Sequence, residues 1–519
     1  MLHYLSACEA LARFRDRSLS PVQLIEALIA QTEAMQPSVN AFTRSFPERA
    51  IEAARLAERR YRDGTARPLE GLALGVKDLH PIDGEITTHG SLVFRDNRDE
   101  STLAVVARLF DAGAILFART TAPEFGLATV THSRLWGVTR NPWNLAYTPG
   151  GSSGGAGAAL AAGMVTLADG SDYGGSIRIP ASCSGVVGYK PPRGRNPGDS
   201  FDPCSHFGPL ARTVADAIAM QNVMSGSSPA DPNSLPDRVV IGNDGSVRGW
   251  HVTYSIDLGH KVIDPQVEAA TRETIAVLRD LGCSVEEVEL DWDDRVRGAF
   301  EAHHAASDAS ASWMLLPSQR DVLTDYAVHE ITRGLAVTGR AVFDANEVRA
   351  EMWRSLGPIL ARSQLFVCPT TAVPAVAADH SPLVDARGWV LTYPFNLLSS
   401  LPVLAIQSGR SRSNVPMGVQ LVGRPFDDAA VFRAGLAVER ARGAWFADNS
   451  RRPPSRYGPR PPRRSRRRRR SRRSPRRRRK RLRLDLSGDH GRVSIGERAL
   501  EWRLRRRVRL DECIDRDHE

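Results

Sequence analysis

Two serines, each set in its own cluster of glycines, constrain this chain more than any other feature. Gly150-Gly-Ser-Ser-Gly-Gly155 opens a small-residue run that continues to Gly163, and Asp169-Gly-Ser-Asp-Tyr-Gly-Gly-Ser176 follows after Met164-Val-Thr-Leu-Ala168. The first run reads as a buried helix and the second as a strand. Glycine lets backbone approach backbone and leaves N–H groups uncovered. A serine among bare N–H groups is the equipment of acyl transfer, a nucleophile beside donors for the oxyanion.

Such a serine needs a base. The 13 histidines are scattered, and none sits in a recognisable nucleophile context. The His303-His304 pair has no acidic partner at metal-ligand spacing, so no metal site is read there. The remaining candidate is Lys77, delivered with Asp78 by the short apolar run Leu72-Ala-Leu-Gly-Val76. Free lysine titrates near ~10.4. Removal from water disfavours the ammonium and frees the amine as a base. Taken alone, Lys77 reads equally as an ion-pair partner of Asp78. Gly151-Ser-Ser-Gly-Gly155 also loosely matches the G-x-S-x-G elbow of α/β-hydrolases, but Tyr147-Thr-Pro149 makes a poor strand end before it.

Charge is unevenly spread. The net +11 comes from residues 451–519, with 28 basic and 9 acidic side chains; residues 1–450 carry 42 basic and 50 acidic. The body, mildly acidic, is not built to grip nucleic acid. The six cysteines (Cys8, Cys183, Cys204, Cys283, Cys368 and Cys513) form no C-x-x-C and read as reduced thiols of a cytoplasmic protein. No signal peptide or membrane span is expected.

Along the chain, apolar strands alternate with amphipathic helices, which argues an α/β fold. Ser20-Pro-Val-Gln23 opens a helix with a capping box that Pro37 is expected to stop. Further helices are expected over 47–62, 101–112, 214–224, 265–281 and 428–441. Residues 296–360 read as helical over much of their length, and strands near 40–43, 72–76, 114–118, 365–369, 402–406 and 417–423. Residues 136–149 read as irregular.

Several of these stretches together resemble the amidase signature family: Gly75-Val-Lys-Asp78, Pro123-Glu-Phe-Gly126, Gly150-Gly-Ser-Ser-Gly-Gly155, Gly170-Ser-Asp-Tyr-Gly-Gly-Ser-Ile-Arg-Ile-Pro180, Gly188-Tyr-Lys-Pro191 and Pro416-Met-Gly-Val-Gln-Leu-Val-Gly423. The likeness spans Ser20 to Phe446. It implies a large mixed twisted sheet covered by helices and a Ser–cis-Ser–Lys triad. Ser176 would be the nucleophile, Ser152 the bridge on a cis peptide and Lys77 the base. Backbone N–H groups of Tyr173, Gly174, Gly175 and Ser176 would line the oxyanion hole. Asp172 and Arg178 would brace the loop, and Phe125, Trp136 and Tyr173 are candidates for the acyl pocket. The implied enzyme cleaves a small-molecule carboxylic amide with no metal or other cofactor, in a catalytic domain over 1–448 with a mostly helical part at about 262–362. A homo-oligomer is a candidate state. Ser171, Tyr173 and Pro192 depart from the commonest family wording, at positions that read as lying off the three catalytic residues. Thr120-Thr-Ala-Pro-Glu-Phe125 resembles general amidases more than the alternative, the glutaminase component of tRNA-dependent amidotransferases.

The likeness ends before residues 449–519, an arginine-rich tract broken by Pro and Ser and expected to be disordered. Two readings stand for it. It is a nucleic-acid-binding tail, the basis of a non-enzymatic alternative, or a translation of GC-rich DNA in a shifted frame.

Overall fold

A computed structural model describes residues 1–198, 202–384, 388–447, 449–455 and 457, with the side chains of 308–311 left out. The arginine-rich tract beyond lies outside the described residues. Thirteen strands run in chain order: β1 (Phe42–Ser45), β2 (Ala73–Lys77), β3 (Ile115–Thr120), β4 (His132–Ser133), β5 (Gly137–Val138), β6 (Leu167–Asp172), β7 (Val187–Lys190), β8 (His206–Ala211), β9 (His251–Tyr254), β10 (Ser284–Glu287), β11 (Leu365–Pro369), β12 (Val403–Arg410) and β13 (Pro416–Val422). Eleven form one sheet, ordered β1-β3-β2-β6-β8-β7-β12-β13-β11-β9-β10, and β4 pairs with β5 in a separate hairpin. The sheet is mixed. β3, β2 and β6 run parallel, as do β11, β9 and β10. The segment from β8 through β13 is antiparallel.

The capping box forms: Ser20 accepts from the Val22 amide and Gln23 Oε1 accepts from the Ser20 amide. The helix nevertheless runs Pro21–Val39, through Pro37. Its end is set by Asn40, whose left-handed backbone turns its N–H back to the Gln36 carbonyl at 2.9 Å. The expected 101–112 helix starts only at Ala104; Leu103 precedes it without a side-chain cap, and its amide donates to Pro81 O. The 47–62 and 214–224 helices have the expected bounds. The longer helices within 296–360 are Arg295–His304, Asp325–Ala336 and Gly339–Arg362, the last two capped by Thr324 and Thr338, with short helical turns between the first two. Strands β7 to β10 are not foreseen by the sequence pattern. β7, β9 and β10 are four residues each, and β10, at the sheet edge, carries three charged or polar residues in four, so it lacks an apolar run.

The helix Gly154–Ala161 is buried along its whole length. Glycine is obligatory at its start: a Cβ on Gly155 would lie 2.3 Å from Thr121 N and 2.6 Å from Ala41 O. Small residues therefore let this helix sit directly on the sheet, carrying its N-terminal serines to the ends of β2 and β6. Among the described residues, no helix is long and apolar enough to cross a membrane.

Candidate active site

β2 ends on Lys77, whose side chain is fully buried. Its amine does not pair with Asp78. Nζ lies 2.8 Å from Ser152 Oγ and 3.0 Å from Ser171 Oγ. Asp78 turns away to Thr88, taking its hydroxyl and, at 3.1 Å, its amide, with Arg119 3.8 Å off. Burial pushes the Asp78 carboxyl up, against the opposing pull of Arg119 and Thr88. The ladder between β2 and β6 stops at Gly75 and Ala168. Beyond it, the Lys77 amide donates to Asp169 Oδ1 at 2.7 Å, and Asp169 Oδ2 stands 2.6 Å from His80 Nδ1.

Ser152 follows a cis peptide with Gly151 and is 2 % exposed. The next residue ties this segment to the second glycine cluster: the Ser153 amide donates to the Ser176 carbonyl at 3.1 Å. Ser176 is half-buried, on the turn between β6 and the helix Arg178–Ser184.

That turn is held from below by a dense buried network. Asp172 and Arg178 are both fully buried, with Nε–Oδ2 at 3.0 Å and Nη2–Oδ1 at 2.9 Å. Asp172 also accepts from the amides of Gly175 (2.8 Å) and Ile177 (3.2 Å). Arg178 spends its other donors on Thr392 O, Gln420 Oε1 and Asn396 Oδ1 at 2.8, 2.6 and 2.6 Å. Burial alone would raise the Asp172 carboxyl; Arg178 and the hydrogen bonds from Arg178 and Asn396 outweigh it and hold it well below the usual carboxylate range. One expectation changes here. The Gly175 N–H, expected among the oxyanion donors, is spent on Asp172. Gly175 has φ +117°, and a Cβ there would fall 2.0 Å from Thr392 Oγ1, so no side chain fits. Thr392 itself donates to Gly174 O at 2.5 Å.

Phe125 and Tyr173 are half-buried against one apolar cluster that includes Leu127, Ile179, Phe300 and Tyr393. The Tyr173 hydroxyl reaches Asp202 Oδ2 at 2.9 Å, and its ring meets those of Phe300 and His304 edge-on. Trp136, half-buried, donates Nε1 to Thr88 Oγ1 at 2.9 Å beside Asp78, next to His89, whose carbonyl accepts from the Phe125 amide at 2.8 Å. Pro123-Glu-Phe-Gly126 serves as an anchor: Glu124 Oε2 accepts from both the amide and hydroxyl of Thr324 at 2.6 Å, fixing the start of the helix Asp325–Ala336.

Sequence reasoning misses Ser171, Asp169, Asn396 and Gln420. Ser171 reads as lying off the catalytic residues, yet it touches Lys77. The signal is present in the alternation of β6, which sends Asp169 and Ser171 to one face. Asn396 carries no such signal, because its role depends on a loop more than 200 residues away. Among the described residues no group of three or more His, Cys, Asp or Glu side chains could hold a metal ion.

A buried lysine against a serine hydroxyl, with a second serine on the glycine turn to which the adjoining Ser153 amide is bonded, is an arrangement suited to serine-type acyl transfer on an α/β scaffold. The chain belongs to the amidase signature family: the Amidase family model matches residues 23–432. It is 33% identical over 459 residues to an acylamidase of Rhodococcus erythropolis, covering 85% of this chain and 96% of that one. It is also 33% identical over 479 residues to the A component of the glutamyl-tRNA(Gln) amidotransferase of Chloroflexus aggregans, with 85% and 96% covered. A crystal structure of a bacterial aryl acylamidase superposes with a TM-score of 0.80 at 27% identity, over 85% of this chain and 96% of that one. The fold and the amide-hydrolysing class thus agree with the reading from the signature motifs.

Proposed function

We propose that this enzyme hydrolyses small-molecule amides through an acyl-enzyme formed on Ser176, with Ser152 as proton bridge and Lys77 as base. The observation that carries the assignment is the 2.8 Å contact between the buried Lys77 amine and Ser152 Oγ. In the first step Ser176 Oγ attacks the amide carbon. Its proton passes to Ser152 Oγ as the Ser152 proton passes to the neutral Lys77 amine. The C=O pair moves onto oxygen, and N–H groups of the Tyr173–Ser176 turn, without that of Gly175, stabilise it. On collapse the C–N bond breaks, and the Lys77 ammonium returns its proton through Ser152 to the departing nitrogen. Water then attacks the ester by the same relay, releasing the carboxylate and restoring Ser176.

The proposed branch is the general amidase, acting in the cytoplasm. Its support is the Thr120–Phe125 wording and the likeness to the acylamidase and the aryl acylamidase. The test is a panel of aryl and aliphatic amides, run beside glutamine in the presence of the other components of a tRNA-dependent amidotransferase. Turnover of free aryl or aliphatic amides without those components is the expected result. Glutaminase activity that appears only with them would assign the amidotransferase role instead.

The arginine-rich tract bears on a second activity. Arg452 and Tyr457 touch the body: Arg452 lies over the Tyr4 ring at 4.7 Å, and the Tyr457 hydroxyl donates to Pro142 O. Deletion is therefore placed after Arg460. The truncated enzyme is expected to keep its amide turnover and to lose any affinity for RNA, measured by electrophoretic mobility shift; lost turnover would tie the tract to catalysis.

A further inference from the structure

We infer that Ser171 is the positioning residue of the lysine base: its hydroxyl accepts one N–H of the Lys77 amine and so aims the nitrogen lone pair at Ser152. The inference rests on the triad assignment above. A neutral primary amine offers two N–H donors and a single lone pair. Its nitrogen lies within hydrogen-bonding distance of two hydroxyls, Ser152 at 2.8 Å and Ser171 at 3.0 Å. The relay requires the lone pair to face Ser152. That leaves an N–H for Ser171, whose oxygen accepts it. With both contacts made, rotation about the Cε–Nζ bond has one preferred setting. Without Ser171, the lone pair faces the bridge in only a fraction of settings, and each turnover bears that loss.

The placement of Ser171 follows from the sheet. β6 presents Asp169 and Ser171 on one face. Where the β2–β6 ladder has ended, these two side chains take its place, Asp169 holding the Lys77 amide at 2.7 Å and Ser171 the amine. One strand therefore grips both ends of the same residue. Ser171 is bound to the bridge segment as well, since its carbonyl lies 3.4 Å from Ser153 Oγ. A shift of β6 would move the base, its hydroxyl acceptor and the segment carrying Ser152 together.

The test compares Ser171→Ala, Ser171→Thr and Ser171→Cys in the full-length enzyme. Each is assayed on the best aryl amide of the panel, with the labelling rate of Ser176 by a fluorophosphonate probe as a second readout. Ser171→Ala is expected to lower kcat by about tenfold or more, the scale of one hydrogen bond to a reacting group. KM should stay within about twofold, and probe labelling should slow in parallel. Ser171→Thr, which keeps the hydroxyl, restores both rates. A merely structural serine would not give that split or that rescue. Should Ser171→Ala fail to fold, the nearly isosteric Ser171→Cys, a weak acceptor, is expected to show the same loss of kcat. Wild-type kcat in Ser171→Ala or Ser171→Cys, or no rescue by threonine, overturns the inference alone. Wild-type enzyme that neither turns over an amide nor labels at Ser176 overturns the triad assignment itself.

Discussion

Ser176→Ala and Lys77→Ala are each expected to abolish amide turnover, by about 10⁴-fold or more, while the fold persists. The two losses have the same root. In the proposed relay Ser176 supplies the atom that bonds to the acyl carbon, and Ser152, held by the lysine, does not take its place. Lys77 supplies the only amine in reach of that bridge among the described contacts, and without it the serine proton has no acceptor. Residues that act as one relay are strongly non-additive: removing both is expected to cost little more than removing either. The double variant therefore separates a shared relay from two independent contributions. Ser176→Ala exchanges one half-buried hydroxyl for hydrogen and should melt close to wild type. Lys77→Ala leaves a cavity and unfilled hydroxyls, so its melting temperature falls; Lys77→Met keeps the volume and is the cleaner control. Steady-state turnover, ester burst kinetics and thermal melting check the set. Appreciable activity in either variant would remove that residue from the mechanism.

The site is legible in the sequence where its chemistry is local in the chain. Around Ser152, backbone atoms crowd Gly150, Gly151 and Gly155, and before Ser176 the side chains of Phe300 and Thr392 crowd Gly174 and Gly175; either way the lack of room for a Cβ is written locally as glycine. The apolar run before Lys77 likewise announces its burial. What the sequence withholds depends on long-range geometry. The choice of Lys77 between Asp78 and Ser152 is made by Thr88 and Arg119, which occupy the aspartate. Gly175 reads as an oxyanion donor until Asp172 is seen to take its N–H. Strands β7 and β9 stay hidden because four-residue strands buried by tertiary contacts need little periodicity of their own, and β10 because it is a polar strand at the sheet edge.

Arg178→Met is expected to be among the most destabilising single substitutions in the chain. Its guanidinium is fully buried and makes hydrogen bonds to Asp172, Thr392, Gln420 and Asn396. Methionine fills much of the volume but leaves the Asp172 carboxylate buried without its cation. Loss of one partner of a buried pair costs about 3–5 kcal/mol, most of it the penalty of the stranded charge. The damage extends to catalysis, because Asp172 holds the Gly175 and Ile177 amides on either side of Ser176. The carboxyl is held low by Arg178, so the pair's contribution is complete above the ordinary aspartate range and is lost only as pH falls below it. In Arg178→Met burial raises the stranded Asp172 carboxyl, so that variant recovers stability as pH falls and the group takes up a proton, and its gap to wild type is expected to widen as pH rises. Adding Asp172→Asn removes the stranded charge, and the double variant is expected to recover part of the stability lost in Arg178→Met. Urea unfolding of wild type, both single variants and the double variant measures this. A double variant no more stable than Arg178→Met would mean that the arginine acts through packing and its bonds to Asn396 and Gln420, and that the ion pair itself contributes little.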